Sequence, residues 1–232
     1  LSVLPTFAVT PASPGMWIRD PKFGVDFGKL VHFAQSAEFP TPLLPEGEIV
    51  GAARVLSISD RGVGKGSFLV LERRISDAAS GALYCRLEQT LLLRGDGGFG
   101  GPQAVRGQGY AFERTPDAST SFESSPRAAL IYRLSGDWNP LHLDPDFAAK
   151  AGFERPVLHG LASYAISGVA VSRAAERDPA DIAQLSCRFS GVVIPGDEIR
   201  LDLWHEEEAT HFRGFVGERK VLDDGLIRWK NI

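Results

Sequence analysis

The chain has 232 residues, 44% hydrophobic and 23% charged, which excludes a wholly disordered chain or a fibrous repeat and leaves room for a sizeable core. Its net charge of −4, with no block of like charge, argues against a nucleic-acid partner. The longest uncharged stretches are residues 1–18, broken by Pro5, Pro11 and Pro14, and residues 156–172, too short for a membrane span.

In chain order, the proline-broken Leu1–Pro21 cannot form a long helix. Its start also lacks the basic stretch of a secretory signal, so no leader is expected. Strands are predicted over Val50–Ser59, Phe68–Ile75 and Leu83–Leu93, with the glycine-rich Arg61–Gly66 as a turn. Gly95–Tyr110, with no periodicity, reads as a linker. An apolar, strand-like stretch then runs into Tyr132. Asp144 followed by Pro145 is a helix start, and a short helix should reach about Ala151. Gly160–Ala174 reads as a longer helix, apolar on every side and therefore buried. Further strands are expected at Arg200–His205, Phe212–Val216 and Leu226–Lys230. Cys85 and Cys187 lie on the apolar faces of alternating runs, as buried thiols would in a reducing cytoplasm.

An internal repeat organises these elements. Phe39 precedes Pro45 by six residues and Phe189 precedes Pro195 by six, so the two segments align without a gap at an offset of 150. Strand, turn and strand follow in both cases. The chain therefore divides into units 1–107 and 108–232, with the helix of the first unit missing or degenerate. The expected class is α+β, an antiparallel sheet wrapped round a buried helix.

Two phosphate-loop lookalikes fail on context. Gly95–Gly100 fits G-x-G-x-x-G, but Gly101-Pro102 follows where a helix should start. Gly62–Ser67 lacks the first glycine and the Ser/Thr after Lys65, and reads as a hairpin turn. A metal cluster of His142, Asp144, Asp146 and His159 is weakened because Asp144 serves better as a helix cap. His32, His205 and His211 read as strand or surface residues.

Tyr132-Arg-Leu-Ser-Gly136-Asp137-Trp-Asn139-Pro-Leu-His142 is different in kind. Turn formers place Asp137 and His142 across a tight loop, where both can meet one water molecule. A carboxylate and an imidazole form an acid–base pair usable near neutral pH. By chemistry alone, a plain turn with Asp capping and His packing stands equally open.

The same run resembles the signature of the MaoC-like, hydratase 2 family of (R)-specific enoyl-CoA hydratases. Tyr132, Leu134, Ser135, Gly136, Asp137, Asn139, Pro140, Leu141, His142 and Ala148 fill its defining positions. Similarity continues through Gly152–Gly160 and Arg188-Phe189…Pro195-Gly196-Asp197, and the first half resembles the degenerate N-terminal unit of two-unit members. The resemblance implies a double hotdog fold and reversible syn hydration of trans-2-enoyl-CoA to (3R)-3-hydroxyacyl-CoA. It implies that Asp137 and His142 hold the water, Asn139 fixes the loop, and the Gly160 N–H receives the thioester oxygen. Lys150, Arg155, His159 and Arg188 are candidate substrate contacts. No metal or redox cofactor is implied, coenzyme A being part of the substrate. Acyl-CoA is the expected partner, with no nucleic acid or membrane, in a cytoplasmic homodimer with one site per chain. Two-unit members carry more residues ahead of such a start, so further chain is expected before Leu1. Alternatives are a related dehydratase of branched or dicarboxylic 3-hydroxyacyl-CoA, or a non-catalytic acyl-CoA-binding hotdog protein.

Overall fold

The computed structural model describes residues 2–105 and 109–230. The unit boundary expected at 107/108 lies outside them. The first half gives β1 (Leu30–Glu38), β2 (Ile49–Asp60), β3 (Ser67–Asp77) and β4 (Leu83–Leu93). The second gives β5 (Ala118–Glu123), helices α1 (Ala128–Arg133), α2 (Pro145–Lys150) and α3 (Gly160–Ala174), then β6 (Ile182–Phe189), β7 (Glu198–His205), β8 (Ala209–Val216) and β9 (Arg219–Trp229). All strands join one antiparallel sheet in the order β2-β3-β4-β1-β6-β9-β8-β7-β5.

The repeat is visible in that order. β1 and β6 occupy equivalent places in the two halves, and they pair with each other from Ala34–Arg188 to Glu38–Gln184. The seam between the halves is thus made of backbone hydrogen bonds between matching strands. Alternation decides which faces are buried. In β7, Ile199, Leu201 and Leu203 are fully buried while Glu198 and Arg200 face water.

α3 lies against β5, β6 and β7, and against the Pro5–Val9 turn. Small residues let it sit deep. A Cβ on Gly168 would fall 2.9 Å from Leu185 Cδ2, so a larger residue would lift the helix or displace that leucine. Tyr164, wholly buried, donates from Oη to the Leu185 carbonyl at 2.8 Å. Among the described residues, no α-helix precedes α1. Short 3₁₀ turns at Pro5–Val9, Trp17–Arg19, Pro21–Phe23 and Phe27–Lys29 stand in its place. Pro11 after the first of these turns and Pro21 after the second cannot continue a helix, which keeps both short. A cavity of about 860 Å³ is lined by residues of β1, β3 and β4 and by residues 132–163 of the second half.

The glycine-rich segments are structural. The Asp60 carboxylate accepts backbone N–H bonds from Gly62, Gly98 and Gly100, each at 2.8 Å, tying the β2–β3 hairpin to the linker. Both cysteines are buried and free. One expectation fails: the run into Tyr132 is the helix α1, not a strand. Its Ala-Ala-Leu start favours helix, and its six residues are too few for a helical period to show against Ile131 and Tyr132.

Candidate active site

Past α1, Leu134, Ser135 and Gly136 close consecutive turns on the helix end. Gly136 has φ +101°, which a side chain would strain. The reversal presents Asp137 to the cavity. Its Oδ1 accepts the Asn139 N–H at 3.1 Å, and Asn139 Oδ1 accepts the Leu141 N–H at 3.1 Å. Asn139 thereby caps a single 3₁₀ turn, Pro140–His142, that delivers His142. Asp144 caps α2 through the Asp146 and Phe147 N–H groups, as expected, and is thereby occupied away from the site.

His142 Nδ1 lies 2.8 Å from the Val157 carbonyl. That carbonyl can only accept, so Nδ1 carries the proton and Nε2 is left as an acceptor. Burial holds the His142 pKa below its ordinary value, so the ring is neutral at pH 7. The His159 ring stacks on it at 3.7 Å and 26°, with Tyr132 at 4.5 Å from His159. His159 Nε2 is 3.9 Å from Asp137 Oδ2. Burial first, and then the neighbouring His142, push the His159 pKa down to about 4. Both its ring nitrogens are buried without a hydrogen-bond partner among the described residues.

His159 is also the residue before α3, so Gly160 begins that helix. The N–H groups at a helix start have no acceptor within the helix and form the positive end of its dipole. Gly160 lines the cavity with Asp137, Asn139 and His142. A Cβ there would meet the Phe189 ring at 3.2 Å, so a larger residue would press the helix start against that ring. Ligand atoms of Asp137, His142 and His159 lie within 4.8 Å of one another, a grouping that would also suit a cation.

The expected substrate contacts divide. His159 is part of the cluster. Lys150 and Arg155 are exposed and do not line the cavity. Arg188 does not line it either: its guanidinium is committed to Asp223 and Asp224, with Nε 2.9 Å from Asp224 Oδ2. The facing acidic pair on β9 is what the sequence did not reveal. Conversely, His32 on β1 is a strand residue, as expected, yet it lines the cavity and packs edge-on against Phe189 at 4.8 Å. Burial pushes its pKa down to about 4. Only its strand alternation could have pointed inward, and β1 shows little of it.

A sheet shared by two matching halves, one with its helix and one without, is the architecture of a double hotdog protein. Residues 108–225 match the MaoC like domain, and residues 1–95 match the MFE-2 hydratase 2 N-terminal domain. The chain is 38% identical to 3-hydroxyacyl-thioester dehydratase Y of Mycobacterium tuberculosis, over 98% of this chain and 81% of that protein. It is 35% identical to peroxisomal enoyl-CoA hydratase 2 of Arabidopsis thaliana, over 94% of this chain and 74% of the relative. The solved MaoC-like dehydratase of Phytophthora capsici superposes with a TM-score of 0.84 at 28% identity, covering 100% of this chain and 84% of that one. The chain belongs to the MaoC-like, hydratase 2 family. No helix of the described residues is long and apolar enough to cross a membrane.

Proposed function

We propose that the chain catalyses the reversible syn hydration of trans-2-enoyl-CoA to (3R)-3-hydroxyacyl-CoA. The observation that carries this reading is the convergence of Asp137, a neutral His142 and the α3 N-terminus at Gly160 on one cavity. Family membership, and relatives named as enoyl-CoA hydratase and hydroxyacyl-thioester dehydratase, support it.

Water sits between Asp137 and His142 Nε2. One of the pair takes a proton from it as its oxygen bonds to C3. The C3 electron deficit comes from the thioester, whose carbonyl oxygen gathers enolate charge and receives the Gly160 N–H. The pair then returns a proton to C2, so the substrate gains H and OH on the same face and the enzyme ends as it began. The thioester supplies the activation, so neither a metal nor a redox cofactor is required. The acyl chain occupies the helix-free side of the cavity under β3 and β4. The coenzyme A phosphates lie outside, within reach of exposed Lys150 and Arg155. One site per chain follows, because the first half has no such Asp/His turn. The working form is a homodimer in a reducing compartment, the cytoplasm, which suits two free thiols.

Loss of enoyl absorbance with trans-2-enoyl-CoA substrates tests the assignment, with product chirality as the second readout. Asp137→Asn and His142→Ala should each lower kcat about 10²–10⁴-fold with folding intact, and EDTA should leave wild-type activity unchanged. Full activity in either variant sinks the mechanism.

A further inference from the structure

β3 carries a guanidinium into the cavity. Arg73 pairs in register with Leu87 of β4 and Ala53 of β2, and lines the cavity beside Leu71 and Leu87. Its Nη2 donates to the Val9 carbonyl, while its Nε is buried with no hydrogen-bond partner. Among the described residues, no carboxylate lies within ion-pair distance of it. The nearby acids Glu72 and Glu88 are tied to Arg54 and Arg86 instead. Burial weighs against its charge, lowering its pKa from the ordinary value. Even so, a guanidinium stays protonated in proteins. The half-buried guanidinium thus faces the cavity with no partner anion among the described residues and with Nε unused, an arrangement that suits an anion brought in by whatever fills the cavity. On the reading that acyl-CoA fills it, the thioester is at Gly160 and coenzyme A lies outside, so only the acyl chain reaches β3.

We propose that Arg73 receives a carboxylate carried by the acyl chain, so that ω-carboxyacyl thioesters are substrates. The planar fork of a guanidinium suits a carboxylate in two-point contact. The surrounding leucines accommodate the methylenes that lead to it.

The test compares hydration of plain trans-2-enoyl-CoAs with ω-carboxy counterparts matched in length, over a range of lengths. For at least one length, wild type should take the carboxylated substrate with kcat/KM no lower than the plain one. Arg73→Gln should then reduce the ratio of the two by tenfold or more, and Arg73→Lys should restore part of it. Preference for the plain substrate at every length overturns the proposal. So does an equal effect of Arg73→Gln on both substrates, as expected of a prop for Val9. If wild type hydrates neither, the hydratase reading itself has failed. Should Arg73→Gln not fold, inhibition of wild type by saturated acyl-CoA with and without the ω-carboxylate decides, equal inhibition counting against the proposal.

Discussion

At the scale of single residues, the site works through what each side chain is prevented from doing. His142 is prevented from taking the wrong tautomer by the Val157 carbonyl. Asp137 is held by the turn that Asn139 closes. A Cβ on Gly160 would crowd the Phe189 ring at 3.2 Å, so the ring or the helix start would have to give. The last point gives a sharp expectation. In Gly160→Val, two methyls and a Cβ must push either the Phe189 ring or the helix start by a good part of an ångström. A displacement of that size at a positioned donor costs on the order of 10²-fold in rate. We expect kcat to fall by about that factor while thermal unfolding of the variant stays cooperative. Unchanged kcat would remove Gly160 from the mechanism.

At the scale of elements, what could be read beforehand tracks how much of its own signal each segment carries. β4 emerges as Leu83–Leu93 and α3 as Gly160–Ala174, at the bounds the sequence suggests, because a two-residue alternation and an uninterrupted apolar helix are strong local patterns. α2 is announced by its Asp144 cap and Pro145. β1 is not announced. It is a central strand, held on both edges by β4 and β6, so pairing rather than face pattern sustains it, and its sequence mixes His32, Gln35 and Ser36 among apolar residues. The same difference separates the site residues. Asp137 and His142 sit in one short turn, where spacing raises them as candidates and the family resemblance selects them. His32 and Arg73 reach the cavity from strands of the other half, which the β1–β6 seam and the packing of the Pro5–Val9 turn on α3 bring there. α3 itself depends on a few close contacts. Tyr164→Phe keeps the ring in place but leaves the Leu185 carbonyl without this donor, a loss of about 1 kcal/mol. The urea midpoint should fall accordingly with little change in slope. No shift would mean the hydroxyl is replaceable by water.

At the scale of the whole molecule, folding gathers imidazoles that began far apart in the chain and removes them from water. His32 comes from β1, His142 from the Pro140–His142 turn and His159 from the threshold of α3. Each is held neutral by burial, His32 and His159 with pKa values down to about 4 and His142 shifted in the same direction. In the unfolded chain these groups take up protons near pH 6.5. Between pH 6.5 and 4 the unfolded state therefore binds more protons than the folded one, and stability must fall as the pH is lowered through that window. Each strongly shifted histidine contributes on the order of 3 kcal/mol once the pH is below its folded pKa. The carboxylates act in a different window. Glu72, held down to about 2 by its bonds to Arg54 and Arg86, keeps its contribution until the pH drops below its unfolded value of 4.5. Urea midpoints measured from pH 7.5 to 4.5 should thus decline mainly through the histidines. His159→Gln, which removes one of the titrating rings, should flatten that decline while leaving any loss below pH 4.5 in place. A wild-type midpoint that stays level from pH 7 to 5 would show that the three rings titrate in the folded protein as they do in the unfolded chain, against the burial that lowers their pKa values.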